Sequence, residues 1–171
     1  MTNITTKKGD KGTTSLFSGE KVSKSSPTID ALGDIDDLIS ILSVVSASAK
    51  VKKLKNEILC LQKILIVISS EVATTPGKIT KLKRRLEKED LNILDKKVLY
   101  LSKKVMLPKC FNIVQGSLVS SYIDLARAVS RRVERKIVTL FNKKAITNKF
   151  ILSWVNRLSD YLFLLGAWHL K

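Results

Sequence analysis

The chain has 171 residues, 44% of them hydrophobic, and carries 31 Lys+Arg against 15 Asp+Glu for a formal net charge of +16. That apolar fraction is too high for a disordered chain, and the length suffices for one domain with a buried core. The charge raises nucleic acid as a partner, but the lysines are scattered and lack the interleaved aromatics that stack on bases, which disfavours that class.

The densest apolar runs, at 64–68 and 161–168, are too short to cross a bilayer, and residues 1–10 are polar rather than signal-like. These features predict a soluble cytoplasmic protein without a membrane partner. Cys60 and Cys110 have no Cys or His at metal-ligand spacing, so both read as free thiols in a reducing compartment. His169, the single histidine, sits at the end of the chain and is expected to do no chemistry.

Residues 1–26 read as a loop or extended arm, and its core is Thr6-Lys7-Lys8-Gly9-Asp10-Lys11-Gly12-Thr13-Thr14-Ser15. Glycines let the backbone approach a ligand closely, lysines bring positive charge, and hydroxyls and free N–H groups supply donors. The spacing is not that of a Walker loop. On chemistry alone this is either an anion grip or a polar tail.

Pro27 opens the first helix, in which Ile35, Leu38, Ile39, Leu42, Val45 and Ala49 recur at helical spacing. Its opposite side carries Asp36, Ser40, Ser43 and Ala47, a small-residue stripe led by one carboxylate. A basic turn at 50–55 precedes a second helix over 57–74, and Pro76-Gly77 punctuates the chain. A third, highly charged helix is predicted over 80–104 and ended by Pro108, with a connector containing Phe111 over 109–116.

The fourth helix starts at Ser117, with an apolar stripe of Leu118, Tyr122, Leu125, Val129, Val133 and Leu140. At about 100° per residue, Asp124, Arg127, Arg131, Glu134 and Arg135 share a band on the other side. An exposed salt-bridge ladder would produce such a band. Yet only 7 of the 31 basic residues are Arg, and Arg127, Arg131, Arg132 and Arg135 take four of them. Arginine is favoured where planar, bidentate contacts to carboxylate or phosphate matter. A last helix over 150–168 has a core stripe including Trp154, Leu158 and Leu162, with Asn156 and Asp160 on its other side. No segment alternates like a strand. The expected fold class is all-α, five helices with short connections.

Four stretches taken together resemble the PduO-type ATP:cob(I)alamin adenosyltransferases. They are Thr6 to Ser15 with the following Phe17-Ser18-Gly19-Glu20-Lys21-Val22-Ser23-Lys24; Gly33-Asp34-Ile35-Asp36-Asp37-Leu38; Ala126-Arg127 with Ser130-Arg131-Arg132-Val133-Glu134-Arg135; and Val155-Asn156-Arg157-Leu158-Ser159-Asp160-Tyr161-Leu162-Phe163. They run in family order over nearly the whole chain.

The resemblance implies a single domain over 1–171, with a nucleotide-binding segment over 1–26 and a five-helix bundle of ferritin-like up-and-down packing over 27–171. It implies a homotrimer with ATP at the subunit interfaces, bound with Mg²⁺. ATP would contact Thr6, Lys7, Lys8, Gly9, Thr14, Ser15 and Lys24 of the arm, and Arg131, Arg132, Val133, Glu134, Arg135 and Asn156 of the helices. Asp36 and Arg127 match an intersubunit salt bridge, and Phe111 matches an aromatic packed beneath the corrin. Arg131 and Phe111 are the residues the resemblance ties most directly to catalysis.

The implied reaction transfers the 5′-deoxyadenosyl group of ATP to the cobalt(I) of a reduced corrinoid, cob(I)alamin, releasing triphosphate and forming adenosylcobalamin. A cobalamin reductase and adenosylcobalamin-dependent enzymes are candidate partners. Two departures stand out: Phe111-Asn112-Ile113-Val114-Gln115-Gly116 lacks the family's proline and one glycine, and Asp124 occupies a position where relatives often carry histidine. The altered 111–116 segment motivates an alternative, an ATP-binding regulator or cobalamin carrier on the same fold.

Overall fold

The computed structural model describes residues 7, 9–106 and 116–170. Two short strands, β1 (Thr13–Ser15) and β2 (Lys21–Ser23), precede α1 (Pro27–Ser48), α2 (Lys52–Val72), a 3₁₀ segment (Pro76–Lys81), α3 (Lys88–Ser102), α4 (Leu118–Asn142) and α5 (Lys149–Trp168). α1, α4 and α5 begin where a side chain can satisfy a free N–H group. Ser26 caps α1 by accepting from the Ile29 N–H, with Pro27 in the first turn, and Ser117 caps α4 by accepting from the Ser120 N–H. Asn148 caps α5 through the Phe150 N–H.

α1 and α4 run antiparallel, since Asp30 pairs with Lys136 while Asp37, further along α1, pairs with the earlier Arg132. α4 packs against both α1 and α5, and α3 against α5. The core includes Ile35, Leu38 and Leu42 of α1, Ile58 and Leu65 of α2, Ile123 and Ile137 of α4, and Trp154 and Leu162 of α5. Each such side chain taken out of water contributes about 1.5–3 kcal/mol. Tyr161 is also buried, and its hydroxyl donates to Glu57 Oε2 at 3.0 Å. Burial, and then the neighbouring Glu57 charge, push its pKa upward.

Several expectations need correction. The arm holds a β-hairpin, where the sequence shows no alternation. β1 and β2 are only three residues each, pairing Thr13 with Ser23, Thr14 with Val22 and Ser15 with Lys21, too short to show a period. Their turn is closed by Leu16 N–H to Glu20 O at 2.8 Å and Gly19 N–H to Leu16 O at 2.9 Å, with Gly19 at φ 95°. This is the three-residue connection whose last position requires a left-handed glycine.

The second helix begins at Lys52 rather than 57, because lysine is a good helix former and Leu54 already reaches the core. The third begins at Lys88 rather than 80. Leu86 is drawn into the core, its N–H is taken by the buried Glu71, and a reciprocal cap between Glu87 and Asp90 starts the helix there.

On α4 the buried stripe is Ile123, Ala126, Val129, Val133, Ile137 and Leu140, with Ser120 and Ser130 also sealed. Leu118 and Leu125, expected inside, are 63% and 45% exposed. The small residues decide this: serine and alanine let neighbours approach α4 closely, so the helix presents that side inward. Ser120 and Ser130 satisfy their hydroxyls on the Ser117 and Arg127 carbonyls, both at 2.8 Å. Gly166 of α5 lies beside Ser120, where an added Cβ would sit 3.4 Å from Ile123.

Candidate functional site

Two separate polar surfaces carry the sequence-derived site residues. The first is the hairpin. The Gly12 N–H donates to Gly9 O at 3.2 Å, the Lys24 N–H to Gly12 O at 2.9 Å, and Gly12 stands at φ 74°. Lys24 lies directly over Gly9, where a Cβ would come within 2.9 Å of the ammonium nitrogen. Gly9 and Lys24 thereby meet at one turn, with Lys7 just before it, while Thr14 and Ser15 follow along β1 opposite Val22 and Lys21. Thr6 and Lys8 lie outside the described residues, as does Phe111.

The hairpin is fastened to the C-terminal end of α2 and the 3₁₀ segment. Ser18 N–H donates to Ala73 O at 3.3 Å, Thr75 N–H to Ser18 Oγ at 3.2 Å, and Lys78 Nζ to Ser18 O at 3.2 Å. Glu20 accepts from Ser18 Oγ and Thr75 Oγ1 and pairs with Lys78 at 2.6 Å. The hydrogen bond from Lys78, followed by that from Ser18, lowers the Glu20 pKa from 4.5 to about 2. Sequence reading missed this anchor, because Lys78 is distant in the chain and no local pattern links it to Glu20.

The second surface is the outer side of α4. Its arginines do not behave alike. Arg127 pairs with Asp124 at 2.6 Å, while Asp36 is exposed and makes no ion pair among the described residues. Arg132 reaches across to α1, with Nε 3.1 Å from Asp34 Oδ1 and an Nη 2.9 Å from Asp37 Oδ2. Lys136 joins it, 2.8 Å from Asp34 and 2.7 Å from Asp30. Burial opposes the charge on Lys136 more than any other single influence, but its close pairing with Asp30 and Asp34 carries its pKa above the ordinary lysine range.

Arg131 and Arg135 are exposed and have no carboxylate partner among the described residues. Arg135 donates only to the Arg131 carbonyl, at 3.1 Å. Glu134 accepts from the Asn156 amide at 2.7 Å, so the structure does bring those two together across α4 and α5. Val133 is 1% exposed, its side chain belonging to the core rather than to this surface. The acids missed in sequence, Asp30, Asp34 and Asp37, had a readable signal: steps of four and three place them on one face of α1.

No side chain of the hairpin hydrogen-bonds to Arg131, Arg132, Arg135 or Asn156 among the described residues. The two surfaces stand as separate candidate halves of an anion site within the described residues of one chain. Among the described residues no three His, Cys, Asp or Glu side chains gather as a metal site, and no helix is long and apolar enough to cross a membrane.

A helical bundle bearing a glycine-lysine hairpin and an open arginine face offers cations and close backbone approach to an anionic ligand. The chain belongs to the cobalamin adenosyltransferase family, whose model matches residues 4–169. It is 34% identical over 163 residues to a corrinoid adenosyltransferase of Citrobacter freundii, covering 95% of this chain and 92% of that protein. It is 30% identical to the corrinoid adenosyltransferase PduO of Salmonella typhimurium over 95% of this chain, and there it spans 48% of the relative's length. Among solved structures, a variant of the PduO-type ATP:corrinoid adenosyltransferase from Lactobacillus reuteri complexed with cobalamin and ATP superposes with a TM-score of 0.90 at 28% identity, covering 97% of this chain and 92% of that one. Another variant of that protein, complexed with ATP, gives a TM-score of 0.87 at 29% identity, over 96% and 93% of the two chains.

Proposed function

We propose that the two half-sites divide one reaction between them. The chain is an ATP:corrinoid adenosyltransferase, a transferase that moves the 5′-deoxyadenosyl group of ATP to the cobalt of a reduced corrinoid. Cobalt(I) supplies the electron pair for the new Co–C5′ bond. The C5′–O bond breaks, and its electrons leave with triphosphate. Cobalt(I) is already a strong nucleophile, so the protein's work is to align the attack and stabilise charge on the leaving group.

The observation that carries this reading is the pair Arg131 and Arg135, exposed and without carboxylate partners one turn apart on α4. Guanidinium groups in that state are available for phosphate oxygens. Lys7, Lys8 and Lys24 add charge from the arm, Gly9 gives close backbone approach, and Thr6, Thr14 and Ser15 supply hydroxyl donors. The Asn156–Glu134 pair presents an oriented amide and carboxylate for the rest of the nucleotide. Mg²⁺ enters with the triphosphate as part of the substrate.

Because hairpin and arginine face are separate in one chain, a complete site needs a second copy. A homotrimer, with Asp36 of one subunit meeting Arg127 of the next, closes it. Phe111 is assigned to the corrinoid side as an apolar wall beneath the ring.

The test is incubation with ATP and chemically reduced cobalamin. Formation of the adenosylcobalamin spectrum with one triphosphate released per turnover is expected. A folded protein that binds ATP but forms no cobalt–carbon bond would replace this reading with the regulator or carrier, for which the altered 111–116 segment is the motive.

A further inference from the structure

The neighbouring arginines of α4 have different jobs, although sequence groups them together. We infer that Arg132 is a positioning residue which clamps α4 to α1 through Asp34, and that only Arg131 and Arg135 take triphosphate. This rests on the assignment of the arginine face to ATP.

The geometry separates two stripes. At about 100° per residue, Arg131 and Arg135 lie about 40° apart around α4, as do Arg132 and Lys136, with roughly 100° between the stripes. The second stripe is committed. Arg132 Nε and Lys136 Nζ approach the two oxygens of Asp34 at 3.1 and 2.8 Å, and the Asp34 side chain is only 10% exposed. Arg132 Nε and Asp34 Oδ2 are sealed from solvent without a well-aligned hydrogen bond, so the attraction is chiefly between charges.

Asp34 depends on that contact, because a buried carboxylate stripped of a cation is costly, whereas the Arg132 side chain is still 43% exposed. Withdrawing Arg132 to bind phosphate would strip Asp34 of one of its two cations and also break the 2.9 Å contact with Asp37. Holding it fixes the rotation of α4 about its own axis, which aims Arg131 and Arg135 outward. The clamp thus acts on the site through the direction of its neighbours.

The experiment compares Arg132→Gln, Arg132→Lys, Asp34→Asn, Arg131→Gln and the Asp34→Asn/Arg132→Gln double variant in the full chain. Inhibition by inorganic tripolyphosphate reads the anion grip, turnover with reduced cobalamin reads alignment, and thermal melting reports folding. Arg131→Gln should weaken tripolyphosphate about tenfold or more, whereas Arg132→Gln should change it by less than about twofold. Arg132→Gln and Asp34→Asn should lower kcat by similar factors, and the double variant should be no worse than the poorer single one, as expected for residues acting as a unit. Arg132→Lys should recover part of the loss, keeping charge at Asp34 but not the reach to Asp37.

Equal weakening of tripolyphosphate by the Arg131 and Arg132 variants would overturn the clamp. So would an Asp34→Asn protein with wild-type kcat, or multiplicative losses in the double variant. If the wild type shows no turnover, the reaction proposal fails instead. Direct tripolyphosphate binding to the Arg131, Arg132 and Asp34 variants then still decides the clamp, with Arg132→Lys covering any failure of Asp34→Asn to fold.

Discussion

Glu71 of α2 and Arg131 of α4 are both charged residues on long helices, yet their surroundings differ completely. Glu71 is 2% exposed and saturated: it accepts from the Leu86 N–H, from the Asn148 amide at 3.1 and 3.2 Å, and from Arg85 at 3.3 Å. The same Asn148 amide donates to Leu86 O at 2.8 Å, so one carboxylate ties α2, the segment before α3 and the cap of α5 together. Arg131 is exposed, with no carboxylate beside it among the described residues. Closed polar networks hold a fold together, and charges left open on a rigid helix are available for ligands.

Turnover should separate the two regions most sharply. Arg131→Ala is expected to lower kcat/KM on the order of a hundredfold, the scale for losing one charge-stabilising group in a reaction of this kind, with the melting temperature nearly unchanged. A large fall in stability would merge the two regions and remove the contrast.

Glu71→Ala should show the reverse. It leaves the Leu86 N–H and the Asn148 amide without their acceptor, and a loss of about 3 kcal/mol in denaturant unfolding is expected. The ATP affinity of the remaining folded protein should be that of the wild type.

Arg127→Ala is expected to act on assembly. Removing a group from an interface ion pair weakens association, so sedimentation at low protein concentration should show smaller species than the wild type does. An unchanged assembly state at the same dilution would leave Arg127 to its contact with Asp124.

The smallest effect belongs to Glu20. Its pKa is lowered in the folded protein, so its anchoring contribution is complete above about 4.5 and disappears as pH falls toward 2. A carboxylate titration followed by NMR should give a midpoint far below 4.5 in the wild type, moving up toward 4.5 in Lys78→Met. A normal midpoint in the wild type would mean that the hairpin is not fastened by this pair.

Much of the architecture was legible because it is local. Pro27, Ser117 and the stripe Ile35, Leu38, Leu42, Val45 are signals that act within a few residues, and α1, α4 and α5 begin within a residue of where they were expected. The errors fell where distant residues competed. The start of α3 depends on Glu71, fifteen positions before Leu86, and the hairpin depends on Lys78 and Thr75. The buried side of α4 was misread because Leu118 and Leu125 are more apolar than Ser120 and Ser130, while close packing favours the smaller residues.

The sequence alone establishes the helices, the glycine-lysine arm and the concentration of arginine on one helix, since each is written in spacing and composition. The family resemblance also grouped Asn156 with Glu134, and the two side chains are hydrogen-bonded in the fold. Only the tertiary structure distinguishes Arg131 from Arg132, one position away and chemically identical. That difference comes from the rotation of α4 against α1, where Asp34 captures one guanidinium and leaves the other facing outward.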